Sequence, residues 1–353
     1  MSDRNAFRGR RVIVTGGLGF IGSNLAVRLV ELGASVSIVD SSEPGCGANV
    51  YNIAPLRDRV RIIPLNLAEA EDFAAEIRAC DVIFNLAGEI SHTESMRCPE
   101  RDLALNAVAN LRFLETCRRA RPGVRIVFAS TRQVYGRPTR LPVDESHPLD
   151  TIDFNGIHKL AAERYHLLLS RLGDVDAVIL RLTNVYGPRM ALRLSCQGFM
   201  GVYLRAALLG EPLLVYGDGR QLRDPVFVDD VVDAFLAAGA AERLPSRIYN
   251  VGGAEPLSLA EIASCFARAG GRSAVRLVPF PEGRKAIDIG SYWTDGTRIR
   301  QELAWQPSTT IGDGACRTLE YYGRRLRQYL DSDAAQPSHG AREAEALEPA
   351  AAG

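Results

Sequence analysis

No charge imbalance, no long apolar run and no paired-cysteine motif mark this chain of 353 residues. Lys+Arg and Asp+Glu number 42 each, so the formal net charge is zero. That balance removes the field by which basic proteins hold nucleic acid or anionic membranes. No apolar stretch reaches the roughly 18 residues that a membrane span needs. The start, from Met1 to Arg11, carries no apolar core of a secretion signal, so residence in the cytoplasm is expected. The seven cysteines are odd in number, scattered and without a C-x-x-C pair. They predict reduced, mostly buried thiols and no metal or disulfide role. No internal repeat is present. An apolar content of 46% with 24% charged residues excludes global disorder and allows a large core.

What is present is an alternation. Short, continuously apolar runs, Arg11–Thr15, Ser35–Asp40, Arg61–Pro64, Val82–Leu86, Arg125–Ala129 and Ala177–Leu182, alternate with helical stretches such as Phe20–Glu31, which Gly33 stops. Runs without polar alternation suit strands covered on both faces. The reading is an α/β fold, a Rossmann-type doubly wound parallel sheet with a smaller interleaved α/β lobe. Residues 1–185 form the dinucleotide domain, with 225–253 returning to it through the helix Val228–Ala240 and the strand near Ile248. Residues 186–224 and 254–330, where Gly and Pro interrupt the rhythm, form the second lobe. Residues 331–353, rich in Ala, Glu and Pro, are expected to be a disordered tail.

Thr15-Gly16-Gly17-Leu18-Gly19-Phe20-Ile21-Gly22 follows a strand and opens a helix. Gly16 permits a tight turn, Gly19 a close approach of backbone to a pyrophosphate, and Gly22 close packing of helix on sheet. The helix start at Phe20 and Ile21 offers free N–H donors. Asp40 ends the next strand where a ribose-binding carboxylate belongs. It repels a 2′-phosphate and no arginine follows it, so NAD is expected in preference to NADP.

With these motifs the chain resembles the extended short-chain dehydrogenase/reductase family, and within it the NAD-dependent sugar-nucleotide epimerase/dehydratase group, over about residues 10 to 325. Asn85-Leu86-Ala87-Gly88 resembles the segment under the nicotinamide ribose. Asn106 matches a structural helix asparagine, and Thr131 in Ala129–Gly136 takes the place of the catalytic threonine. Asn66-Leu67 stands where the family often has Asp-Leu against the adenine. Asn184, Arg223 and Arg284, from three separate segments, resemble the contacts to a sugar-nucleotide diphosphate. Arginine forks suit phosphate oxygens. The resemblance implies a nucleoside-diphosphate sugar as substrate. It also tips the apolar stripes of Arg101–Arg119 (Leu103, Ala107, Leu111, Leu114) and Gly156–Arg171 (Leu160, Leu167, Leu168) toward a homodimer surface, although both stripes equally suit packing on the sheet.

One position departs. The family pairs a tyrosine with a lysine four residues on, the lysine holding the ribose and the tyrosine taking the substrate proton. Here Lys159 is present but the tyrosine position is Asn155, which has no useful acid–base chemistry and is left as a substrate contact. His158 is the expected substitute base, with His92 a second candidate. A different acid–base device, or a protein that binds without turnover, are the other readings. Dehydratases of the family carry Asp-Glu after the threonine; Arg132 and Gln133 stand there instead, which disfavours dehydration. Arg132 would suit a uronate carboxylate, leaving decarboxylation open. The leading expectation is 4-epimerisation through a transient 4-keto sugar.

Overall fold

The computed structural model describes residues 5–56, 58–193, 198–271, 273–280 and 288–330. Arg284, Cys196 and the segment 331–353 lie outside the described residues. Strand and helix alternate through β1 (Arg11–Thr15), α1 (Phe20–Glu31), β2 (Ser35–Val39), β3 (Val60–Ile63), α2 (Ala74–Ala79), β4 (Val82–Asn85), α3 (His92–Arg97), α4 (Pro99–Leu103), α5 (Ala109–Ala120), β5 (Arg125–Thr131), α6 (Phe154–Leu172) and β6 (Asp176–Leu182). There follow β7 (Val185–Tyr186), α7 (Gly198–Leu209), β8 (Leu213–Tyr216), β9 (Leu222–Arg223), β10 (Val226–Phe227), α8 (Val228–Ala240), β11 (Ile248–Val251), β12 (Leu257–Ser258), α9 (Leu259–Gly270) and β13 (Val275–Val278). The described chain closes with α10 (Thr297–Leu303), α11 (Ile311–Gly323) and α12 (Leu326–Leu330).

Seven strands make one parallel sheet in the order β11-β6-β5-β4-β1-β2-β3. The chain begins in the middle at β1, runs out to β3, and returns to β4 on the other side of β1. The connections after β1 and β4 therefore leave in opposite directions and open a crevice at the strand ends. Successive strand residues point to opposite faces. Val12 and Val14 pack with Leu25 and Leu29 of α1 and Val231 and Phe235 of α8. Ile13, Ile83 and Ile126 pack on the other face with Ile77 of α2 and Phe113 and Leu114 of α5. Both faces are covered, which is why the strand sequences carry no polar alternation. A further core, with Tyr186, Met190, Leu204, Leu213, Phe227, Phe266 and Tyr322, ties α7, α9 and α11 to the short strands.

Three expectations need correction in detail. The helical run from Pro99 to Ala120 is interrupted by a π-helical turn at Ala104–Val108, which holds Asn106. The two apolar stripes divide between core and surface: Ala107 and Leu114 are buried, while Leu103, Leu111 and Leu168 are exposed. Of the six described cysteines only Cys80 and Cys117 are buried; Cys98 and Cys316 are exposed. Among the described residues no helix is long and apolar enough to cross a membrane.

Candidate active site

The crevice between the ends of β1 and β4 is bolted by one hydroxyl. Thr15 Oγ1 donates to Asn85 Oδ1 at 2.8 Å and accepts the N–H groups of Leu86 and Ala87 at 3.1 and 3.2 Å. Gly16 turns there with φ +67°, and a Cβ on it would stand 2.9 Å from the Leu86 and Ala87 backbone. A Cβ on Gly22 would stand 2.2 Å from Gly16 O. Glycine is required at both places, and the result brings the start of α1 onto the crevice. Gly19, the N-cap of α1, has no side chain to cap it, so the first N–H groups, at Phe20 and Ile21, are left for an anion.

Asp40 stands at the rim. Its two oxygens accept the N–H of Leu18 at 2.9 Å and of Ser42 at 2.8 Å. Burial raises its pKa and these two bonds pull the other way. Asn66 is committed as a cap: Oδ1 accepts from Ala68 N–H at 2.9 Å, and Glu69 accepts the Asn66 N–H at 2.8 Å. Only its NH₂ end is left for an adenine. Gly16, Gly19, Phe20, Ile21, Gly22, Asp40, Asn66, Leu67, Leu86 and Ala87 line one continuous cleft that continues to Thr131 and Lys159. A cradle of obligatory glycines, an uncapped helix start and a rim carboxylate fit a dinucleotide.

Lys159, on α6, is buried at 5% exposure. Its Nζ lies 3.4 Å from Ala129 O and 5.2 Å from the Phe128 ring centre. Burial lowers its pKa to about 8, against the charges of Asp102, Glu89 and Glu163. Gly88 makes room for it: a Cβ there would meet Asn106 Oδ1 at 2.5 Å and Lys159 Nζ at 2.9 Å. Asn106 donates to Glu89 O at 3.1 Å, and its Oδ1 is buried without a partner. Thr131, at the end of β5, donates from Oγ1 to Gln133 Oε1 at 2.8 Å.

The position of the missing tyrosine is filled by a structural amide. Asn155 is 1% exposed, and its Nδ2 donates to Glu89 O and Asp102 Oδ2, both at 2.9 Å. The other oxygen of Asp102 lies 2.7 Å from His158 Nδ1. His158 is buried and is not among the described residues lining the cleft. The base expected at His158 is thus turned away from the cleft: it directly precedes Lys159, about 100° around the helix, and its ring faces Asp102 of α4. His92 does line the cleft, along with Arg132, Gln133, Asn155 and Asn184. Its Nδ1 lies 2.7 Å from Asp153 Oδ2, and the Gln133 amide lies against its ring. Asp153 carried no motif; its only signal was its place before a helix.

Asn184 Oδ1 is buried without a partner beside the cleft, an acceptor awaiting a donor. Arg223 does not line it. Its guanidinium donates to Leu222 O at 2.8 Å and Gly290 O at 2.5 Å, with Asp288 3.9 Å away. Burial, and next the charge of Arg132, bring its pKa down to about 10. The arginine expected at the diphosphate is thus held by protein carbonyls here, because β9 lies next to the loop at Gly290.

Fold and cleft together define a Rossmann-type protein built around a dinucleotide. A family model described as NAD dependent epimerase/dehydratase family matches residues 12–252. A UDP-glucose 4-epimerase of Mycolicibacterium smegmatis is 34% identical over 318 residues, covering 88% of this chain and 98% of that protein. A UDP-N-acetyl-alpha-D-glucosaminuronate decarboxylase of Bacillus cytotoxicus is 29% identical over 326 residues, covering 89% and 98%. Among solved structures, a dTDP-glucose 4,6-dehydratase of Streptomyces venezuelae with NAD bound matches with a TM-score of 0.81 and 28% identity, covering 91% of this chain and 99% of that one. The chain belongs to the NAD-dependent epimerase/dehydratase family, and its cofactor is NAD.

Proposed function

We propose that the protein is a nucleotide-sugar 4-epimerase that works through a transient 4-keto sugar. The observation that carries this reading is one cleft that joins the dinucleotide cradle to Thr131 and Lys159 and has Arg132 and Gln133 where a dehydratase has two carboxylic acids. The 34% identity to a UDP-glucose 4-epimerase supports the same choice. Bound NAD supplies a hydride acceptor that later gives the hydride back. Lys159 holds the nicotinamide ribose and its charge favours hydride arrival. Thr131 offers its hydroxyl to the sugar. Asn184 accepts from the sugar nucleotide, and Arg132 sets a cation beside it. Arg223 and Arg284 answer the diphosphate, Arg223 after giving up a carbonyl.

Arg132 also favours a second reading, decarboxylation of a uronate sugar, which needs a cation beside the departing carboxylate. We place residues 186–224 and 254–330 as the lobe that holds the sugar nucleotide, and the protein in the cytoplasm. Exposed Leu103, Val108 and Leu111 on one helical run and Ile157, Leu168 and Leu172 on neighbouring α6 form the face on which we place a second copy of the chain.

The test is direct. The purified protein is analysed for bound nucleotide by mass spectrometry, then incubated with UDP-, GDP-, dTDP- and CDP-sugars, both hexoses and uronates. Bound NAD and a C4 epimer as product are expected. Release of CO₂ from a uronate selects decarboxylation, and absence of any product overturns both.

A further inference from the structure

Two imidazole–carboxylate pairs flank the start of α6, and they differ in what they face. In the first, Asp102 spends both oxygens inside the protein, on His158 and on Asn155, and the pair is sealed from the cleft. In the second, Asp153 is the N-cap of α6. Its Oδ1 accepts the Gly156 N–H at 2.7 Å, which fixes the carboxylate, and its Oδ2 receives His92 Nδ1 at 2.7 Å. Burial alone would raise the Asp153 pKa, but the bond and charge of His92, the Gly156 N–H and the charge of Arg132 together lower it, so the carboxylate stays ionised. An ionised acceptor at Nδ1 places the proton there and leaves the lone pair on Nε2. The His92 side chain is 38% exposed and lines the cleft, as do Thr131 and Lys159.

We propose that His92, oriented by Asp153, is the proton acceptor and donor that stands in for the absent tyrosine. This rests on the nucleotide-sugar redox reading given above. In the forward half the sugar O4–H bond breaks and its proton goes to His92 Nε2. The C4–H bond breaks with it, its electron pair and hydrogen leaving as hydride to NAD, and C4=O forms. In the return half the hydride comes back to the opposite face of C4 and His92 gives its proton to O4, so neither oxidant nor proton is consumed. The groups facing His92 are Asp153 from the start of α6 and Gln133 from the turn after β5, with Arg132 of that turn reaching Asp153 by its charge. A sugar hydroxyl would take the place of the Gln133 amide at the ring. His92 is the catalytic residue of this proposal, and Asp153 positions it.

The experiment compares wild type with His92→Ala and Asp153→Asn, the latter keeping a capping oxygen while removing the charge. Four quantities are measured: NAD per protomer by mass spectrometry, nucleotide-sugar affinity by calorimetry, kcat and KM, and the pH profile of kcat/KM. His92→Ala is expected to lose 10²–10⁴-fold in kcat/KM, to lose the acidic limb of the profile, and to keep bound NAD and sugar-nucleotide affinity. Asp153→Asn should lower kcat with KM and NAD content held. Retention of wild-type kcat/KM and of the acidic limb in His92→Ala overturns the proposal while leaving the epimerase reading standing. Loss of NAD from His92→Ala makes the residue structural and overturns it too. A wild type inert to every nucleotide sugar overturns both readings, and is told apart because the unmodified protein itself fails.

Discussion

Lys159 carries its charge where water scarcely reaches, and the cost of that burial sets its pH behaviour. The ammonium titrates at about 8, held up by Asp102, Glu89 and Glu163 against a larger desolvation. Below that pH it is a cation able to hold the ribose; above it the cation is lost. Bound NAD per protomer, measured after gel filtration between pH 7 and 9.5, should therefore fall as pH rises through about 8. Lys159→Met should show low retention at every pH. Retention that stays flat in wild type would place the ribose contact elsewhere. The family resemblance made Lys159 legible in the sequence. It could not show what Asn155 does, because that side chain's partners, Asp102 and Glu89, lie 53 and 66 residues away. A tyrosine put back at 155 would take donors from a buried carboxylate and a buried carbonyl, an exchange that costs stability.

Helix α6 illustrates the element scale. Asp153 starts it by capping Gly156, and Gly173 ends it at φ +82°. Its buried face carries Asn155, His158, Lys159, Glu163 and His166. Five of its eight buried residues are thus polar or charged, so hydrophobic periodicity is a weak signal for this helix. The polar face is satisfied by neighbours. Glu163 accepts two bonds from Arg181 of β6 at 2.9 and 2.6 Å and one from Ser130 of β5 at 2.5 Å. Arg181 also reaches Tyr135 at 2.9 Å. Arg181 and Glu163 are both fully buried. Glu163→Gln should thus lower unfolding free energy by about 3–5 kcal/mol, because it strands the guanidinium without its counter-charge. Urea denaturation checks this. Glu163→Gln combined with Arg181→Met should lose less than Glu163→Gln alone. A loss below about 1 kcal/mol in the single variant would mean that the pair is not the brace between α6 and β6.

At the scale of the whole molecule, the reversal of strand order at β1 and β4 opens the crevice, and the core around Tyr186 and Phe266 sets α7 against its far side. Met190, Phe199 and Met200 complete the cleft wall from that side. The same architecture leaves apolar side chains on the outer faces of α5 and α6 without cover, Leu172 being 65% exposed. A second copy packed on these helices removes that surface from water at about 25 cal/mol per Å². Light scattering at micromolar concentration should give the mass of a dimer. Leu111→Glu together with Leu168→Glu should give the mass of a monomer with unchanged NAD content. A monomeric wild type at that concentration removes the proposed face.

The sequence by itself determined whatever depends on residues a few positions apart. The glycine turn, the rim carboxylate Asp40, the strand runs and the bounds of α1 and α8 are of this kind, because steric freedom at φ, helical periodicity and the apolar run of a strand are local properties. Tertiary structure alone decided the rest. It set which half of each apolar stripe meets the sheet, whether Arg223 faces the cleft or the Gly290 carbonyl, and which histidine faces the cleft. His158 stands beside Lys159 in the chain, yet its ring is spent on Asp102; His92 meets Asp153 across 61 residues. Side-chain direction is fixed by packing against partners remote in the chain, and linear order carries no measure of that distance.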